Sequence, residues 1–553
     1  MKILIVGGVA AGTSAAAKAR RNDENAEIKI FDIDYDISYS ACGMPYYIGG
    51  EVSDRDELVP RDVEFFKKKY NIDVLNRHEV LKVNSKNKTL TIKNLNTEEI
   101  FSEGYDKLVI STGAKPVIPN ITGAEKENVF YLRNVMQADK IKNYLTKNKP
   151  KSAVVVGTGF VGLEMTENLK NLGISVTLVE RLDQVTPGLD SDMAIYIEKY
   201  LDSKEINVIL GDSVVELRGE PQVKEVILQS GKVLETDFII MSIGVKPNVS
   251  LARETGIEIG TTGAIKVNSK MQTNIDGVYA CGDCAENFSL ITNKSIYRPL
   301  GSTANKMGRI AGDQLSGGTL EFRGILGTGI FRIFDMVVAL TGLTEKEALS
   351  EGYEAVVCHN IKPDKPSYYH GKEMVIKGVA DKNTGKLLGT QIVGYAGVDK
   401  RIDVFATAIT FGAKVEDLFH LDLAYAPPFS TTKDPVMYTG MILDNAINRG
   451  RNLITPIELS KLLEDTNDVA IIDARANNQY EKAHVEAAIN IPQEEIRNNI
   501  ATLDKEKIVV TYCNKGVTGN AVQNILINNG FQKVFNISGG HKNYKTQGKK
   551  EKG

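Results

Sequence analysis

Cysteine is scarce in this chain of 553 residues. Its five cysteines are Cys42, Cys281, Cys284, Cys358 and Cys513. An odd, sparse set of thiols in a large chain argues against a disulfide framework and for a reducing compartment. Cys281 and Cys284 stand close together, but no second pair and no histidine cluster completes a metal site. We therefore expect both to pack in the core, and we expect no metal.

Neither sign of charge dominates, and long hydrophobic runs are missing. The net charge is −3, which gives no electrostatic case for binding nucleic acid. No apolar run reaches the roughly 18 residues that a membrane-spanning helix needs. The chain opens directly on an apolar strand, residues 2–6, without the pattern of a signal peptide. These absences predict a cytoplasmic protein that contacts neither nucleic acid nor membrane.

The chain does contain enough apolar residues for a large core: 42% are hydrophobic, beside 25% charged and 49 glycines. Its length predicts about three or four domains. KILIVGGVAAG from residue 2 and KSAVVVGTGFVG from residue 151 each have the pattern of a strand, a glycine-rich turn and a helix. Two such βαβ units predict an α/β protein with two dinucleotide-binding domains.

The second glycine-rich turn carries a complete nucleotide-binding fingerprint. Gly157, Gly159 and Gly162 have the spacing at which backbone N–H groups and a helix dipole meet a pyrophosphate. Glu180 ends the next strand, 18 residues after Gly162, where an acid hydrogen-bonds a ribose hydroxyl. Glu180 would repel a 2′-phosphate and so favours NADH, whereas the adjacent Arg181 keeps NADPH open.

The first turn departs from this pattern, because Val9 stands at the middle position between Gly7 and Gly12. Asp32 ends the following strand, 20 residues after Gly12. An N-terminal unit of this kind with a second one downstream resembles the layout of the FAD/NAD(P) disulfide reductases. That resemblance assigns FAD to the first site and a nicotinamide nucleotide to the second.

Two further segments resemble FAD-binding signatures of the same family. Residues 105–116, YDKLVISTGAKP, resemble its strand that ends in Thr112 and Gly113. Residues 277–286, GVYACGDCAE, resemble the segment whose aspartate, here Asp283, meets the flavin ribityl chain. The ordered series of signatures identifies the chain as a member of this superfamily.

A lone cysteine, Cys42, lies in the segment SYSACGMPYYIGG, residues 38–50. Such a residue is by default a small buried hydrophobe, but this one follows Asp32 by ten residues in a polar turn, where the chain should pass the flavin. The segment resembles that of single-cysteine reductases: coenzyme A disulfide reductases, NADH oxidases and NADH peroxidases. One sulfur closes no internal disulfide, so its oxidised form is a mixed disulfide, a persulfide or a sulfenic acid.

Coenzyme A disulfide reductases hold coenzyme A near this cysteine. Matched by position, six residues of this chain correspond to the coenzyme A contacts of those enzymes: Ser14, Lys18, Arg21, Ser38, Asn305 and Lys433. The three basic residues among them are suited to the nucleotide phosphates. Alternatively, Lys18 and Arg21 belong to a solvated helix face without a ligand, and Lys433 is an exposed lysine of a loop. Ala41 departs from the asparagine that is common at its position in the family.

Two tyrosine segments resemble parts of the family that reach the partner subunit's cysteine. They are residues 367–370, SYYH, with Tyr368, and residues 423–429, LAYAPPF, with Tyr425. A phenol at that place can donate a proton to a leaving thiolate. The resemblance thus implies a homodimer with shared active sites, and aromatic packing at an interface is the alternative.

The C-terminal segment resembles a rhodanese domain. Asp473, Arg475 and His484 lie in the segment that resembles the start of that domain. Cys513 follows a strand, and the loop that begins at Cys513 leads into a helix. Such a loop and its helix dipole favour a thiolate or persulfide. Thr518 stands where an arginine is usual, which is expected to weaken binding of thiosulfate-like anions. We expect Cys513 to carry a persulfide; an inactive domain used for packing is the alternative.

The resemblance also implies a domain organisation. An FAD-binding domain in two parts (residues 1–150 and 276–324) encloses an NAD(P)-binding domain (151–275), and an α+β dimerisation domain (325–445) and an α/β rhodanese-like domain (452–553) follow. The basic end of the chain from residue 542 is expected to be frayed.

Together these features predict an FAD-dependent NAD(P)H reductase of coenzyme A disulfide, coenzyme A persulfide or polysulfide. Cys42 is its redox centre, and Cys513 handles sulfane sulfur. Two alternatives stay open. One is an NADH oxidase or peroxidase that cycles Cys42 through a sulfenic acid. The other is a redox sensor or sulfur-trafficking module with little turnover.

Overall fold

The computed structural model describes residues 1–548 and 551–552. It divides into two compact units, of which the first comprises Met1–Asp183 and Glu205–Gly327. The second comprises Gln184–Lys204 and the chain from Thr328 onward. Among the described residues, no helix is long and apolar enough to cross a membrane.

Two parallel five-stranded sheets form the frame of the first unit. In spatial order, one contains Val278–Ala280, Lys107–Ile110, Lys2–Val6, Glu27–Phe31 and Asp73–Leu75. The other contains Asn207–Ile209, Ser175–Val179, Ser152–Val156, Phe238–Met241 and Val129–Phe130. Each glycine-rich turn follows the central strand of its sheet. This arrangement confirms the two predicted Rossmann-like domains.

Smaller sheets and helices complete the first unit. Its antiparallel sheets are His78–Asn84 with Thr89–Asn94 and Ile100–Gly104, Val214–Arg218 with Glu225–Leu228 and Val233–Glu235, Ala114–Pro116 with Val245–Pro247, and Asn287–Phe288 with Ser295–Ile296. Its helices are Ala10–Asn22, Met44–Gly49, Val63–Tyr70, Val135–Asn148, Phe160–Asn171, Ser250–Thr255 and Gly301–Leu315, with 3₁₀ turns at Ala41–Gly43 and Arg55–Leu58.

The first helix packs closely against the helix Gly301–Leu315. A Cβ on Gly308 would lie 2.1 Å from the carbonyl oxygen of Ala11, so only glycine permits this approach. The contact brings together two residues that are 291 positions apart, with Ser14 Oγ donating to Asn305 Oδ1 at 2.6 Å. Small residues in two distant helices thus place both side chains beside one another.

An antiparallel and a parallel five-stranded sheet form the frame of the second unit. In spatial order, the antiparallel sheet contains Gly329–Ile333, Met336–Gly342, Leu387–Gly394, Glu373–Asp381 and Ala355–Pro363. The parallel sheet contains Leu453–Ile454, Val534–Ile537, Ile508–Tyr512, Val469–Asp473 and Ala488–Asn490. The first is the predicted α+β domain, and the second is the predicted rhodanese-like α/β domain.

The helices of the second unit include one that the sequence places inside the nucleotide-binding region, Ser191–Ser203. The others are Glu345–Ser350, Val398–Thr410, Asp417–His420, Pro435–Asn448, Pro456–Asp465, Asn477–Tyr480, Ile496–Asn499, Val517–Asn528 and Gly540–Thr546, with 3₁₀ turns at Ser367–Tyr369 and Ile500–Thr502.

The expectation of a frayed chain end from residue 542 is wrong over its first part. Helix Gly540–Thr546 buries Asn543 and Tyr544, because Tyr544 packs into the apolar core of the domain despite its basic neighbours. Further on, Glu551–Lys552 pairs with His484–Val485. Residues 549, 550 and 553, to which the same expectation applied, lie outside the described residues.

Candidate functional site

The first glycine-rich turn forms a cradle that side chains would fill. Gly7 has φ +100°, a conformation that favours glycine. A Cβ on Gly12 would lie 1.9 Å from the carbonyl oxygen of Gly7. At the end of the neighbouring strand, Asp32 accepts the N–H of Gly8 at 2.5 Å. The helix Ala10–Asn22 begins at this turn, and the N–H groups at its start are suited to a pyrophosphate. Asp32 lies at the end of the adjacent strand, where dinucleotide-binding folds carry the acid that binds a ribose hydroxyl.

The second turn repeats this geometry. Gly157 has φ +98°, and a Cβ on Gly162 would lie 2.1 Å from its carbonyl oxygen. Gly159 faces open space, which leaves room for a phosphate. The Glu180 carboxylate accepts the N–H of Thr158 at 3.0 Å and its hydroxyl at 2.8 Å. Both predicted sites therefore have the backbone that a dinucleotide needs.

The buried position of Asp32 affects its charge. Burial raises the pKa of its carboxyl to about 6, although the N–H groups of Asp34 and Gly8 oppose that shift. A ribose hydroxyl that donates to this carboxylate would stabilise the ionised form. Binding of such a ligand would therefore be coupled to ionisation of Asp32 near pH 6.

Arg133 links the two predicted FAD signatures, because its Nε donates to the carbonyl of Ala114 at 3.0 Å and its guanidinium also meets Asp283. Thr112 Oγ1 donates to the carbonyl of Asn248 at 2.8 Å, and Gly113 follows with φ +67°. Asp283 is held by Arg133, whose Nη2 lies 2.7 Å from Asp283 Oδ2. Sequence reasoning missed Arg133, because nothing in its local sequence marks it as a partner of a residue 150 positions away.

Cys281 and Cys284, which flank this region, are both fully buried. Burial raises the pKa of each thiol, so neither is held as a thiolate. This placement agrees with the predicted packing role. Among the described residues, no group of three or more histidine, cysteine or acidic side chains is arranged to hold a metal.

Cys42 lies in an exposed position in the 3₁₀ turn Ala41–Gly43. The helix Met44–Gly49 starts immediately after it and has a proline in its first turn, which fixes the direction of the chain. The pKa of the Cys42 thiol is raised, first because surrounding protein displaces water and then by the negative charges of Glu164 and Asp283, while Arg133 opposes them. Cys42 is thus reachable by substrate and is held as a thiol.

A pocket of about 430 Å³ opens beside the Cys42 segment. Four of the six predicted substrate residues line it: Ser14, Arg21, Ser38 and Asn305. Two arginines that sequence reasoning missed, Arg61 and Arg309, line it as well. Arg309 lies one helical turn after Asn305, so this spacing could have predicted that both residues share one face of the helix. No carboxylate lines the pocket among the described residues, so its walls suit a polyanionic nucleotide.

Lys18 is placed differently from the other predicted substrate residues. Its Nζ lies 2.9 Å from Asp313 Oδ1 and donates to Asn22 Oδ1 at 2.8 Å. Burial alone would raise the pKa of Asp313, but the N–H of Leu320, Asn22 and Lys18 together lower it to about 2. The Lys18 ammonium is therefore paired within the protein, and Lys18 is not among the residues that line the pocket.

The sixth predicted residue, Lys433, and the two predicted tyrosines lie in the second unit. Tyr368 and Tyr425 are 68% and 48% exposed, and Lys433 is exposed as well. The loop that carries Lys433 is anchored next to it, where Arg401 Nη2 lies 2.8 Å from Asp434 Oδ2 in a fully buried pair. Large exposed aromatic side chains such as these two are typical of an interaction surface.

Cys513 directly follows the strand Ile508–Tyr512 and is buried. Its carbonyl accepts the N–H of His541 at 2.8 Å, and the next carbonyl, of Asn514, accepts the N–H of Lys542 at 3.0 Å. The loop then enters the helix Val517–Asn528 through Gly516, which has φ +96°. The predicted arrangement of strand, cysteine loop and helix N-terminus is present.

The charged residues that open this domain are used within it. Asp473 is fully buried and lies 2.6 Å from Arg475 Nη2, and it also accepts the hydroxyl of Tyr512 at 2.6 Å. His484 stacks on Tyr480, with ring centroids 3.9 Å apart. The bond from Tyr512 to Asp473 links two neighbouring strands of the sheet. In the loop of residues 513–516, Lys515 is the one cationic side chain.

Comparison with known proteins identifies each segment. A sequence profile described as pyridine nucleotide-disulphide oxidoreductase matches residues 1–297. The profile of the corresponding dimerisation domain matches residues 330–435, and that of the rhodanese-like domain matches residues 455–547.

Among similar proteins, one relative matches four-fifths of the chain, and two solved structures match nearly all of it. The NAD(P)H sulfur oxidoreductase (CoA-dependent) of Pyrococcus furiosus is 38% identical over 444 residues, which cover 80% of this chain and 99% of that protein. The crystal structure of reduced Bacillus anthracis CoADR-RHD has a TM-score of 0.96 at 39% identity, covering 99% of this chain and 98% of that one. The structure of an NAD-dependent persulfide reductase from A. fulgidus has a TM-score of 0.91 at 36% identity, covering 98% of this chain and all of that one.

Proposed function

Because the chain belongs to the pyridine nucleotide-disulphide oxidoreductase family, it is an FAD- and NAD(P)H-dependent oxidoreductase, and we propose that it reduces coenzyme A disulfide and coenzyme A persulfide. One observation carries this proposal: the segment that holds the exposed Cys42 also contributes Ser38 and Tyr39 to a pocket lined by three arginines and no described carboxylate. That pocket suits the phosphates of a coenzyme A nucleotide, whose sulfur end would then extend toward Cys42.

In the proposed cycle, the Cys42 thiol first loses its proton to solvent, and the resulting thiolate attacks one sulfur of coenzyme A disulfide. A Cys42–coenzyme A mixed disulfide forms, and one coenzyme A leaves as its thiolate. FAD held at the first glycine-rich turn would supply the two electrons, taken from the nicotinamide nucleotide, that reduce this mixed disulfide, release the second thiolate and restore Cys42. With coenzyme A persulfide, Cys42 takes the outer sulfur and coenzyme A leaves as its thiolate. Two electrons and two protons would then release that sulfur from Cys42 as hydrogen sulfide.

The nucleotide residues have distinct proposed roles. Gly7 and Gly12 admit the FAD pyrophosphate, and Asp32 accepts a ribose hydroxyl. Thr112, Gly113 and Asp283 complete the FAD site. At the second turn, Gly157, Gly159 and Gly162 admit the nicotinamide nucleotide, and Glu180 favours NADH over NADPH because a carboxylate repels a 2′-phosphate.

We also propose that the chain works as a homodimer through its dimerisation domain. The exposed Tyr368 and Tyr425 would then contact the partner subunit near its active site and donate a proton to the leaving coenzyme A thiolate. The exposed Lys433 would contact the nucleotide from the same side. Cys513 would carry sulfane sulfur as a persulfide.

The proposal is tested by comparing NADH oxidation with four acceptors under anaerobic and aerobic conditions: coenzyme A disulfide, coenzyme A persulfide, hydrogen peroxide and oxygen. Turnover on the two coenzyme A compounds, abolished by Cys42→Ser, is the expected result. Faster turnover on peroxide or oxygen would instead identify an oxidase or peroxidase. Flavin binding without turnover on any acceptor would identify a sensor.

A further inference from the structure

The rhodanese-like domain and the dimerisation sheet belong to one compact unit and are joined by buried polar contacts. Ser538 Oγ accepts the backbone N–H of His359 at 2.7 Å and lies 3.1 Å from Nδ1 of the same residue. Both residues are almost wholly buried, so water does not compete for these bonds. Ser538 thus holds one face of the rhodanese-like domain against the strand Ala355–Pro363.

The segment that follows Ser538 lies directly against the Cys513 loop, which comprises residues 513–516. The N–H of His541 donates to the carbonyl of Cys513 at 2.8 Å. Gly540 has φ +61°, and a Cβ at this position would collide with the same carbonyl oxygen. The loop therefore has a fixed place relative to the face of its domain that meets the dimerisation sheet.

The dimerisation sheet presents a carboxylate to this loop. Glu373 and Pro363 are directly paired, and His359 lies four residues before Pro363, so the side chains of Glu373 and His359 share one face of the sheet. Oε1 of Glu373 pairs with Lys515, and Oε2 pairs with Lys542. Lys515 is the one cationic side chain of the Cys513 loop, so a residue of another domain neutralises it.

Both lysines are tied to the loop backbone. Lys515 belongs to the loop, and the N–H of Lys542 donates to the carbonyl of Asn514 at 3.0 Å. Burial alone would raise the pKa of the Glu373 carboxyl, but the two ammonium groups outweigh this effect and lower the pKa below its ordinary value. Glu373 is therefore a carboxylate at neutral pH. A small anion that approaches the loop has to displace this carboxylate from a lysine or meet its negative charge.

We propose that Glu373 determines which sulfur donor reacts at Cys513: by occupying Lys515 and Lys542, it disfavours thiosulfate relative to an organic persulfide. Thiosulfate is a dianion at neutral pH, whereas a protonated organic persulfide, R–S–SH, is uncharged at its reacting end. Glu373 acts here as a positioning residue, through the two lysines.

The reaction with an organic persulfide balances without a further reagent. Cys513 loses its proton to solvent, and its thiolate attacks the outer sulfur of R–S–SH. The S–S bond of the donor breaks, RS⁻ leaves with the bonding electron pair, and Cys513 carries the outer sulfur as a persulfide. This inference rests on the proposed persulfide role of Cys513.

The test uses the full-length flavoprotein with Cys42→Ser, under anaerobic conditions, so that sulfur taken up by Cys42 does not obscure the result. Thiosulfate and the persulfide of N-acetylcysteamine, which carries no other charge, are supplied separately. The mass of the Cys513 peptide is followed for the gain of one sulfur atom. Glu373→Gln is expected to raise the rate with thiosulfate roughly tenfold, the scale of one charge-assisted contact, and to change the rate with the persulfide by less than about twofold.

Three further variants separate the charge of Glu373 from its place in the structure. Glu373→Asp, which keeps a carboxylate, is expected to keep the parent's preference. Lys515→Gln, added to Glu373→Gln, is expected to remove most of the gain with thiosulfate, because the released cation of the loop is gone. Glu354→Gln is the matched control: this exposed glutamate pairs with Lys382 near the opposite end of the same two strands and should leave both rates unchanged. High salt should lower the thiosulfate rate of Glu373→Gln more than that of its parent.

The ratio of the two rates is the deciding quantity, because a merely structural change at Glu373 would alter both rates alike. If Glu373→Gln leaves this ratio unchanged or shifts it toward the persulfide, this inference alone is overturned. If Cys513 gains no sulfur from either donor, the proposed persulfide role of Cys513 fails together with it.

Discussion

The two candidate sulfur sites use charge in opposite ways. Beside Cys42, Arg21, Arg61 and Arg309 are all exposed and line a pocket without a described carboxylate. Cations in that state are available to a ligand, because binding need not break an internal ion pair first. The pocket is thus built from groups of the first unit that are free to meet phosphates.

Beside Cys513, the domain's own charges are already paired in its interior. Asp473 and Arg475 are 0% and 6% exposed and bind one another. Buried pairs of this kind stabilise a fold only as long as both partners stay together. Arg475, already bound to Asp473, is therefore not available to a ligand in the way that the exposed arginines of the first unit are.

The largest expected effect follows from breaking the buried pair. Asp473→Ala should lower the free energy of unfolding of the rhodanese-like domain by about 3–5 kcal/mol, because Arg475 would remain buried without its counter-ion. Urea unfolding of the full chain measures this. Asp468→Ala removes an exposed acid just before the same strand and is the control, with an expected change within about 0.5 kcal/mol. A loss below about 1 kcal/mol for Asp473→Ala would show that the pair is not committed to the fold.

The next effect should appear in substrate binding and not in stability. Arg21→Gln is expected to raise the KM for coenzyme A disulfide about tenfold, with kcat nearly unchanged, because a charge-assisted phosphate contact is lost. Steady-state kinetics at low and moderate salt measure it, and Arg253→Gln, an exposed arginine outside the pocket, is the control. If Arg21→Gln instead destabilised the chain as much as Asp473→Ala, the contrast between the two sites would not hold.

Much of this arrangement was predictable, since it depends on local patterns. The turns at Gly7 and Gly157 require glycine for backbone reasons, so their motifs locate both nucleotide sites without further information. The strand and loop at Cys513 are similarly local. Exposed Cys42 was found because its polar segment is unlike a core helix.

The remaining features depend on contacts between distant parts of the chain. Arg133 meets Asp283 across 150 positions, and Lys515 of the Cys513 loop pairs with Glu373 of another sheet. Helix Ser191–Ser203 belongs to the second unit for a similar reason: Lys377, wholly buried, pairs with its Asp192 at 2.8 Å. No local pattern specifies such pairs, because each is set by the packing of whole elements.

A third effect extends the contrast to a buried acid that serves a ligand. Asp32 must be ionised to accept a ribose hydroxyl well, and without ligand its pKa is about 6. Below that pH, binding has to displace a proton, so FAD affinity should fall about tenfold between pH 7 and pH 5. Flavin fluorescence titrations measure this dependence. Asp32→Asn should bind FAD more weakly at pH 7 and show no such slope; an equally steep slope in the variant would assign the titration to another group.

The smallest effect is expected at Lys18, which the sequence places together with Arg21 on the first helix. Its ammonium is occupied by Asp313 and Asn22, so a phosphate would have to compete with an existing ion pair. Lys18→Ala should therefore change the KM for coenzyme A disulfide by less than about twofold and lower stability by at most about 1 kcal/mol. Side-by-side kinetics of Lys18→Ala and Arg21→Gln measure the difference. An effect of Lys18→Ala as large as that of Arg21→Gln would mean that the substrate draws Lys18 away from Asp313, and that paired cations, too, are available to ligands of this protein.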